Sequence, residues 1–207
     1  MIHKLTVPIP DEAISALHVG DQVEINGVIF TARDAAHKYM VEEFIKTGGN
    51  PPQSEEALYE LLQEKLNGGV IYHCGPVVAQ DDGQWRFVAA GPTTSIREEV
   101  YQDLVIEHFN LKAVIGKGGM GPRTLAACEK YKAVYLHAVG GAGTLIAERV
   151  QEVEDVHKLA EFGVPEAFWQ IRVEGFPAVV TMDSHGQSVH AEVAAKSEAK
   201  FKELVGA

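Results

Sequence analysis

KAVIGKGGMGPRTLAACEKYKAVYLHAV, residues 112–139, is the stretch on which the fold turns. KAVIG and AVYLHAV are short apolar runs of strand character, and PRTLAACEKY between them has helical length. The same rhythm extends in both directions. A helix is expected from Ser95 to about Phe109 before it, and a helix GTLIAERVQEV after it. Strands and helices that alternate at this spacing imply parallel strands joined by right-handed crossovers.

Upstream, Val23–Ile25 and Val28–Thr31 flank Asn26-Gly27, a pair that accepts positive φ and predicts a two-residue hairpin. TARDAAHKYMVEEFIKTGG then reads as an amphipathic helix, with Ala36, Met40, Phe44 and Ile45 inward and Gly48-Gly49 as its stop. Arg33 falls at the strand-to-helix junction, and His37 shares its helix face one turn on. After Pro51-Pro52, a helix capped by Ser54 and closed by Gly68 carries the stripe Leu58, Leu61, Leu62 and Leu66. GVIYHCG and QWRFVAAG read as strands, with DDG turning between PVVAQ and the second. Downstream, QIRVE and AVVTMD are expected as strands, SHGQ turns the chain into a strand SVHAEV, and a short helix ends it. The whole, residues 1–207, reads as one α/β domain with mixed sheets and helices on one face.

A chain of 207 residues with 46% hydrophobic content can bury a sizeable core. Its net charge of -11 argues against a nucleic-acid or membrane-surface partner, so any anion must meet a local basic cluster. The N-terminal stretch lacks a basic region followed by an unbroken apolar run, and no later segment reaches spanning length, which predicts a cytoplasmic protein without membrane contact. Cys74 and Cys128 are the only cysteines and stand far apart, so they are expected as free buried thiols.

Two loops carry candidate chemistry. In GPTTSIREE, residues 91–99, Ser95 and Glu98 have the spacing of a capping box, which places Thr93 and Thr94 just ahead of a helix N-terminus. Free N–H groups there favour a carboxylate or phosphate, and Arg97 in the first turn adds a bidentate fork. A plain turn and cap with a solvated arginine accounts for the same residues. In VIGKGGMG, Lys117 stands at the carboxyl end of a strand, where ligands of parallel sheets gather. It is followed by glycine rather than Ser or Thr, so this is not a Walker A loop, and a solvated lysine in a tight turn is the alternative. VGGAGTLIAE fails as a dinucleotide fingerprint because Ile146 occupies the third glycine position; its glycines are read as sites of close backbone approach. The nine histidines show no metal-ligand spacing, and His185 reads as a turn residue.

Taken in order, TARDAAHK, HCGPVV, GPTTSIR, GKGGMG, GGAG and DSHGQS resemble the C-terminal domain of class I fumarases and the separate β subunits of fumarate hydratases and L-tartrate dehydratases. The resemblance covers nearly the whole chain. It implies a swivelling β/β/α domain and a hydro-lyase whose 4Fe-4S cluster sits on a partner α subunit, with no metal ligand in this chain, in a hetero-oligomer such as α2β2. Two distant cysteines agree with that division. Carried over by position, Arg33, Arg97 and Lys117 bind substrate carboxylates with Thr94 beside them, and Thr93 is the proton-transfer residue. Glu98 departs from the family pattern, in which methionine often follows the arginine. Three cations suit a dicarboxylate and would stabilise charge developing on it, while an open iron would polarise the departing hydroxyl. Fumarate hydratase is the first reading and L-tartrate dehydratase the second; a non-catalytic carboxylate-binding module is the alternative of another class.

Overall fold

In the computed structural model, which describes residues 2–206, the chain runs β1 (Ile2–Thr6), α1 (Asp11–Ser15), β2 (Gln22–Thr31), α2 (Asp34–Tyr39, continued as a π-helix over Met40–Ile45), α3 (Glu56–Leu66), β3 (Val70–Tyr72), β4 (Val77–Asp81) and β5 (Gln84–Ala89). It continues through a 3-10 turn (Ser95–Glu98), α4 (Glu99–Phe109), β6 (Ala113–Gly116), α5 (Pro122–Tyr131), β7 (Val134–His137), α6 (Gly143–Ala147), β8 (Val150–His157), α7 (Leu159–Phe162), β9 (Phe168–Met182) and α8 (Val189–Val205). The main sheet has the order β1-β2-β3-β6-β7-β9-β8, and β2 also pairs with β9. That extra pairing closes β2, β3, β6, β7 and β9 into a ring. β2, β3, β6 and β7 are mutually parallel, and β9 is antiparallel to its neighbours, so the sheet is mixed as expected.

Because side chains alternate along a strand, the ring sorts its residues into two cores. Ile29, Tyr72, Ile115, Leu136 and Trp169 point into the inner core. Their chain neighbours Phe30, Ile71, Val114, Tyr135 and Phe168 join the outer core with Met40 and Phe44, Leu62 and Leu66 of α3, Val105 and Ile106 of α4, and Cys128 of α5. Strands buried on both faces are apolar throughout, which is why VIY and AVIG show no polar alternation. Each such side chain contributes about 1.5–3 kcal/mol of burial.

The β4–β5 hairpin forms as expected, with Asp82 and Gly83 both at positive φ. Asn26-Gly27 does not turn the chain. β2 is continuous, and Gly27, at φ +112, sits in a bulge against β9 while Asn26 accepts a hydrogen bond from Gly175 N. Ser54 caps nothing, and α3 begins after a short 3-10 turn. GTLIAERVQEV splits: α6 stops at Ala147, and Val150–His157 pairs with β9 as a strand. QIRVE and AVVTMD belong to the single strand β9. SVHAEV is helical, with Ser188 accepting from Ala191 N as the cap of α8. Among the described residues, no helix is long and apolar enough to cross a membrane.

Candidate active site

Because the ring's parallel strands run the same way, the segments leaving β2, β3 and β6 emerge at one end. Backbone hydrogen bonds fix their spacing. Ala32 N donates to Tyr72 O (3.1 Å) and His73 N to Ile115 O (2.8 Å), so the chain beyond each strand keeps its neighbour. The Pro92–Ser95 segment enters between the ends of β3 and β6. Thr93 N donates to His73 O (2.8 Å), Lys117 N to Thr93 O (3.3 Å) and Ser95 N to Lys117 O (3.0 Å). Arg33, Thr93 and Lys117 are thus brought to one rim by main-chain geometry, and Arg97 follows within a turn.

The two arginines are already engaged. Arg97 grips Asp34 with both Nε, 2.9 Å from Oδ1, and Nη2 on the second oxygen. Arg33 Nη2 lies 3.3 Å from Glu166 Oε1 and 3.9 Å from Asp34 Oδ2, while Glu166 Oε2 accepts from Ala35 N (2.9 Å) in the first turn of α2. Burial pushes the Asp34 carboxyl up, but hydrogen bonds and charge from Arg97, its own backbone and Arg33 outweigh it and hold the group below its usual range. A side chain at Gly75 would meet Arg33 Nη1 at 2.6 Å, so glycine there makes room for the guanidinium. Lys117 differs. It is half-buried, lies across Gly140, and pairs with no carboxylate among the described residues. Thr93 is half-buried and Thr94 exposed.

Below the rim runs a buried polar chain. Tyr135 OH donates to Ser95 Oγ (2.9 Å), which lies 2.8 Å from His73 Nδ1; Gln102 Oε1 lies 2.8 Å from His73 Nε2 and 3.1 Å from His37 Nε2. His37 Nδ1 donates to Arg33 O (2.9 Å), since a carbonyl only accepts. Burial lowers His37 to about 4 and His73 well below its usual value, so both are neutral at pH 7. Ser95 therefore faces the core and is not the expected cap: Thr94 precedes the 3-10 turn, and no side chain caps it. A Cβ at Gly116 would stand 1.8 Å from Ser95 Oγ, which explains glycine at the end of β6.

Glu98, the other half of the expected capping box, is fully buried, and neither carboxyl oxygen has a hydrogen-bond partner. Burial first, then the charge of Asp34, pushes it up to about 7 against the pull of its backbone, Arg97 and Arg33. The sequence reading missed Asp34, Glu166, His73 and Gln102 as parts of the site. Asp34 and His73 lie within motifs that were read, TARDAAHK and HCGPVV, but Glu166 arrives from a loop with no local signal.

The remaining expectations resolve plainly. Gly143 approaches Gly91, with Ala90 N donating to Gly143 O (2.9 Å), so Gly143 serves close backbone packing, whereas a Cβ at Gly141 would meet nothing within 4 Å. His185 lies in a turn, stacked on His18. Cys74 in the inner core and Cys128 in the outer are buried free thiols, each pushed up to about 12 by burial. Among the described residues, no group of three or more His, Cys, Asp or Glu could hold a metal ion. Cys74 and Cys128, buried in separate cores, do not fit an iron–sulfur cluster, which takes several converging thiolates.

A mixed α/β ring thus carries three cationic side chains and a threonine on the segments beyond the carboxyl ends of its parallel strands. Residues 3–193 match the family described as Fumarase C-terminus, and the chain belongs to that family. It is 48% identical over 205 residues to a protein of Geobacillus stearothermophilus provisionally named fumarate hydratase class I; the match covers 97% of this chain and 36% of that protein's length. It is 41% identical over 194 residues to a provisionally named L(+)-tartrate dehydratase subunit beta of Methanocaldococcus jannaschii, with 93% of each chain covered. Against the L(+)-tartrate dehydratase subunit beta of Escherichia coli K12 the identity is 38% over 189 residues, covering 91% of this chain and 86% of the relative.

Proposed function

We propose that this chain is the β subunit of a hydro-lyase that interconverts fumarate and L-malate at a site completed by a partner α subunit. The observation that carries the proposal is the wedge at the rim: Thr93 is hydrogen-bonded between His73 and Lys117, with Arg33 just past the end of β2 and Arg97 one turn away. In this reading the domain is of the swivelling β/β/α kind and works in the cytoplasm. The identity to a relative named for fumarate hydratase puts fumarate first, and the two β subunits named for L(+)-tartrate dehydratase keep L-tartrate as the second reading.

Arg33, Arg97 and Lys117 hold the two carboxylates of the substrate, with Thr94 at the edge. Thr93, as its alkoxide, takes the proton from carbon, the electron pair of that C–H bond forms the double bond as the C–O bond breaks, and the departing hydroxide takes a proton from solvent to leave as water. Charge developing on the adjacent carboxylate is stabilised by the fixed cations, a contribution of about 10²–10³ in rate per well-placed donor. A threonine hydroxyl is a weak base, and neighbouring positive charge is what lowers its pKa. The cluster implied by the family belongs, in this reading, to the α subunit, and the assembly is a hetero-oligomer such as α2β2.

Co-expression with a cysteine-bearing α chain, anaerobic reconstitution and assay on fumarate, L-malate and both tartrates tests the proposal. The isolated chain is expected to be folded, colourless and inactive, and the assembly to hydrate fumarate. Faster turnover of L-tartrate than of L-malate would move the assignment to the second reading. An assembly that binds dicarboxylates but turns over none would favour a binding module.

A further inference from the structure

Glu98 is a buried acid with no partner beside a site that must stay positive. From the start of α2 it feels Asp34, and Arg33 just ahead of that helix; on its own turn, Arg97; from β7, Tyr135. On α4, Gln102 is neutral and turned to the two histidines, while Glu99 turns away to accept from Gly121 N (2.8 Å) and Arg123 N (2.9 Å). Glu166 lies beyond Arg33. Arg33 Nε is itself buried and unpaired.

The charge balance makes Glu98 decisive. Arg33, Arg97 and Lys117 stand against Asp34 and Glu166, so the cluster is net positive while Glu98 keeps its proton and neutral once it loses it. An ionised Glu98 would add its pull on Arg33 and Arg97 to that of Asp34 and Glu166, drawing them from the rim. A dianion arriving at the arginines adds negative charge and favours the protonated acid.

We propose that Glu98 is a positioning residue that couples dicarboxylate binding at Arg33 and Arg97 to the uptake of a proton by its own carboxyl, so that the arginines face the substrate only while Glu98 is neutral. The proposal rests on the anion site inferred above. At neutral pH Glu98 is divided between its two forms when the site is empty, and binding draws it to the protonated one. Affinity for the dianion then falls as pH rises past neutrality, by up to about tenfold for each pKa unit that binding adds.

The test uses the full chain together with the subunit that co-purifies with it, and L-malate as the probe. Calorimetry in buffers of different ionisation enthalpy is expected to show proton uptake on binding at about pH 7.5 and none at about pH 5.5, where the acid is already protonated. The infrared difference spectrum at the higher pH should gain a protonated-carboxyl C=O stretch that Glu98→Gln lacks. Glu98→Gln and Glu98→Met, both neutral and of similar length, should flatten the pH dependence of affinity and keep malate bound at high pH. Malate binding by the wild type without proton uptake, or with uptake unchanged in Glu98→Gln, overturns this inference and leaves the hydro-lyase reading standing. No malate binding by the wild-type assembly at any pH overturns both.

Discussion

The arginine side of the rim and the lysine side solve the same electrostatic problem in opposite ways. Arg33 and Arg97 are locked by Asp34 and Glu166 and stand on the buried chain of His37, Gln102 and His73. Lys117 rides a loop of glycines, with Gly118 and Gly119 at positive φ, and has no carboxylate partner among the described residues. The locked side holds its arginines in carboxylate pairs; the free side keeps charge available. A carboxylate that already satisfies an arginine competes with substrate, whereas an unpaired lysine half-buried at a strand end offers its charge undiminished.

Thr93, at the seam between the two sides, has the largest expected effect. Thr93→Ala should lower kcat by about 10²–10⁴-fold, the range of a lost general base, with KM little changed. A change confined to KM, in steady-state assays of the assembled enzyme, would reduce Thr93 to a binding role.

Next come the cations, and here the two sides should separate. Lys117→Ala and Arg97→Ala should each cost about 2–5 kcal/mol of transition-state binding without unfolding the chain. Arg97→Ala also leaves Asp34 without its bidentate partner, a negative charge beside the substrate, so adding Asp34→Asn should restore part of the loss. The same change on Lys117→Ala should restore nothing. Equal rescue of both, measured as kcat/KM in a double-mutant cycle, would erase the distinction between a locked and a free side.

The histidine foundation of the arginine side predicts an acid weakness. His37 is held at about 4 when folded against about 6.5 in the unfolded chain, so the unfolded state binds the extra proton first. Stability is therefore complete above about pH 6.5 and falls toward pH 4, by up to about 3 kcal/mol for His37, with His73 acting in the same sense. Glu98 works the other way. Its folded value is raised, so its contribution is full below the unfolded value of 4.5 and is lost as pH rises through about 7. Glu98→Gln should thus steepen the acid loss and stabilise the chain above neutrality. Urea melts between pH 4 and 8 check both signs, and coincident curves for the two proteins would contradict them.

Much of this contrast was legible in the sequence, but unevenly. The strand–helix rhythm from Gly91 to His137 was readable because apolar runs and crossover helices repeat at fixed spacing, and it put Lys117 at the correct end of its strand, as the separate strand-to-helix junction after Thr31 did for Arg33. Where long-range pairing decides, local pattern misled. Val150–His157 follows a helical turn without a break, and only pairing with β9 makes it a strand. Asn26-Gly27 has the chemistry of a hairpin, yet β9 pairs with both halves of β2 and turns the glycine into a bulge. Ser95 and Glu98 have cap spacing, but His73 and Tyr135 draw the serine inward, and the spacing says nothing of that.

The smallest expected effect isolates the lysine side. Its loop rests on the first turn of α8: a Cβ at Gly119 would fall 2.4 Å from the ring of His190, so the bare backbone lies flat on the imidazole. His190 is held in turn by Thr181 Oγ1, 3.0 Å from Nε2, on β9. His190→Ala removes that support without touching Asp34 or Glu166, although its ring also packs edge-on to Tyr135 at the far end of the polar chain. The loop should loosen, and kcat/KM should fall by about tenfold, roughly 1.4 kcal/mol, through misplacement of Lys117 alone. In a Lys117→Ala background the same change should do nothing further, because the charge it positions is gone. An equal further loss in that background would mean that His190 supports both sides, and that the rim is one rigid body rather than a fixed half and a mobile half.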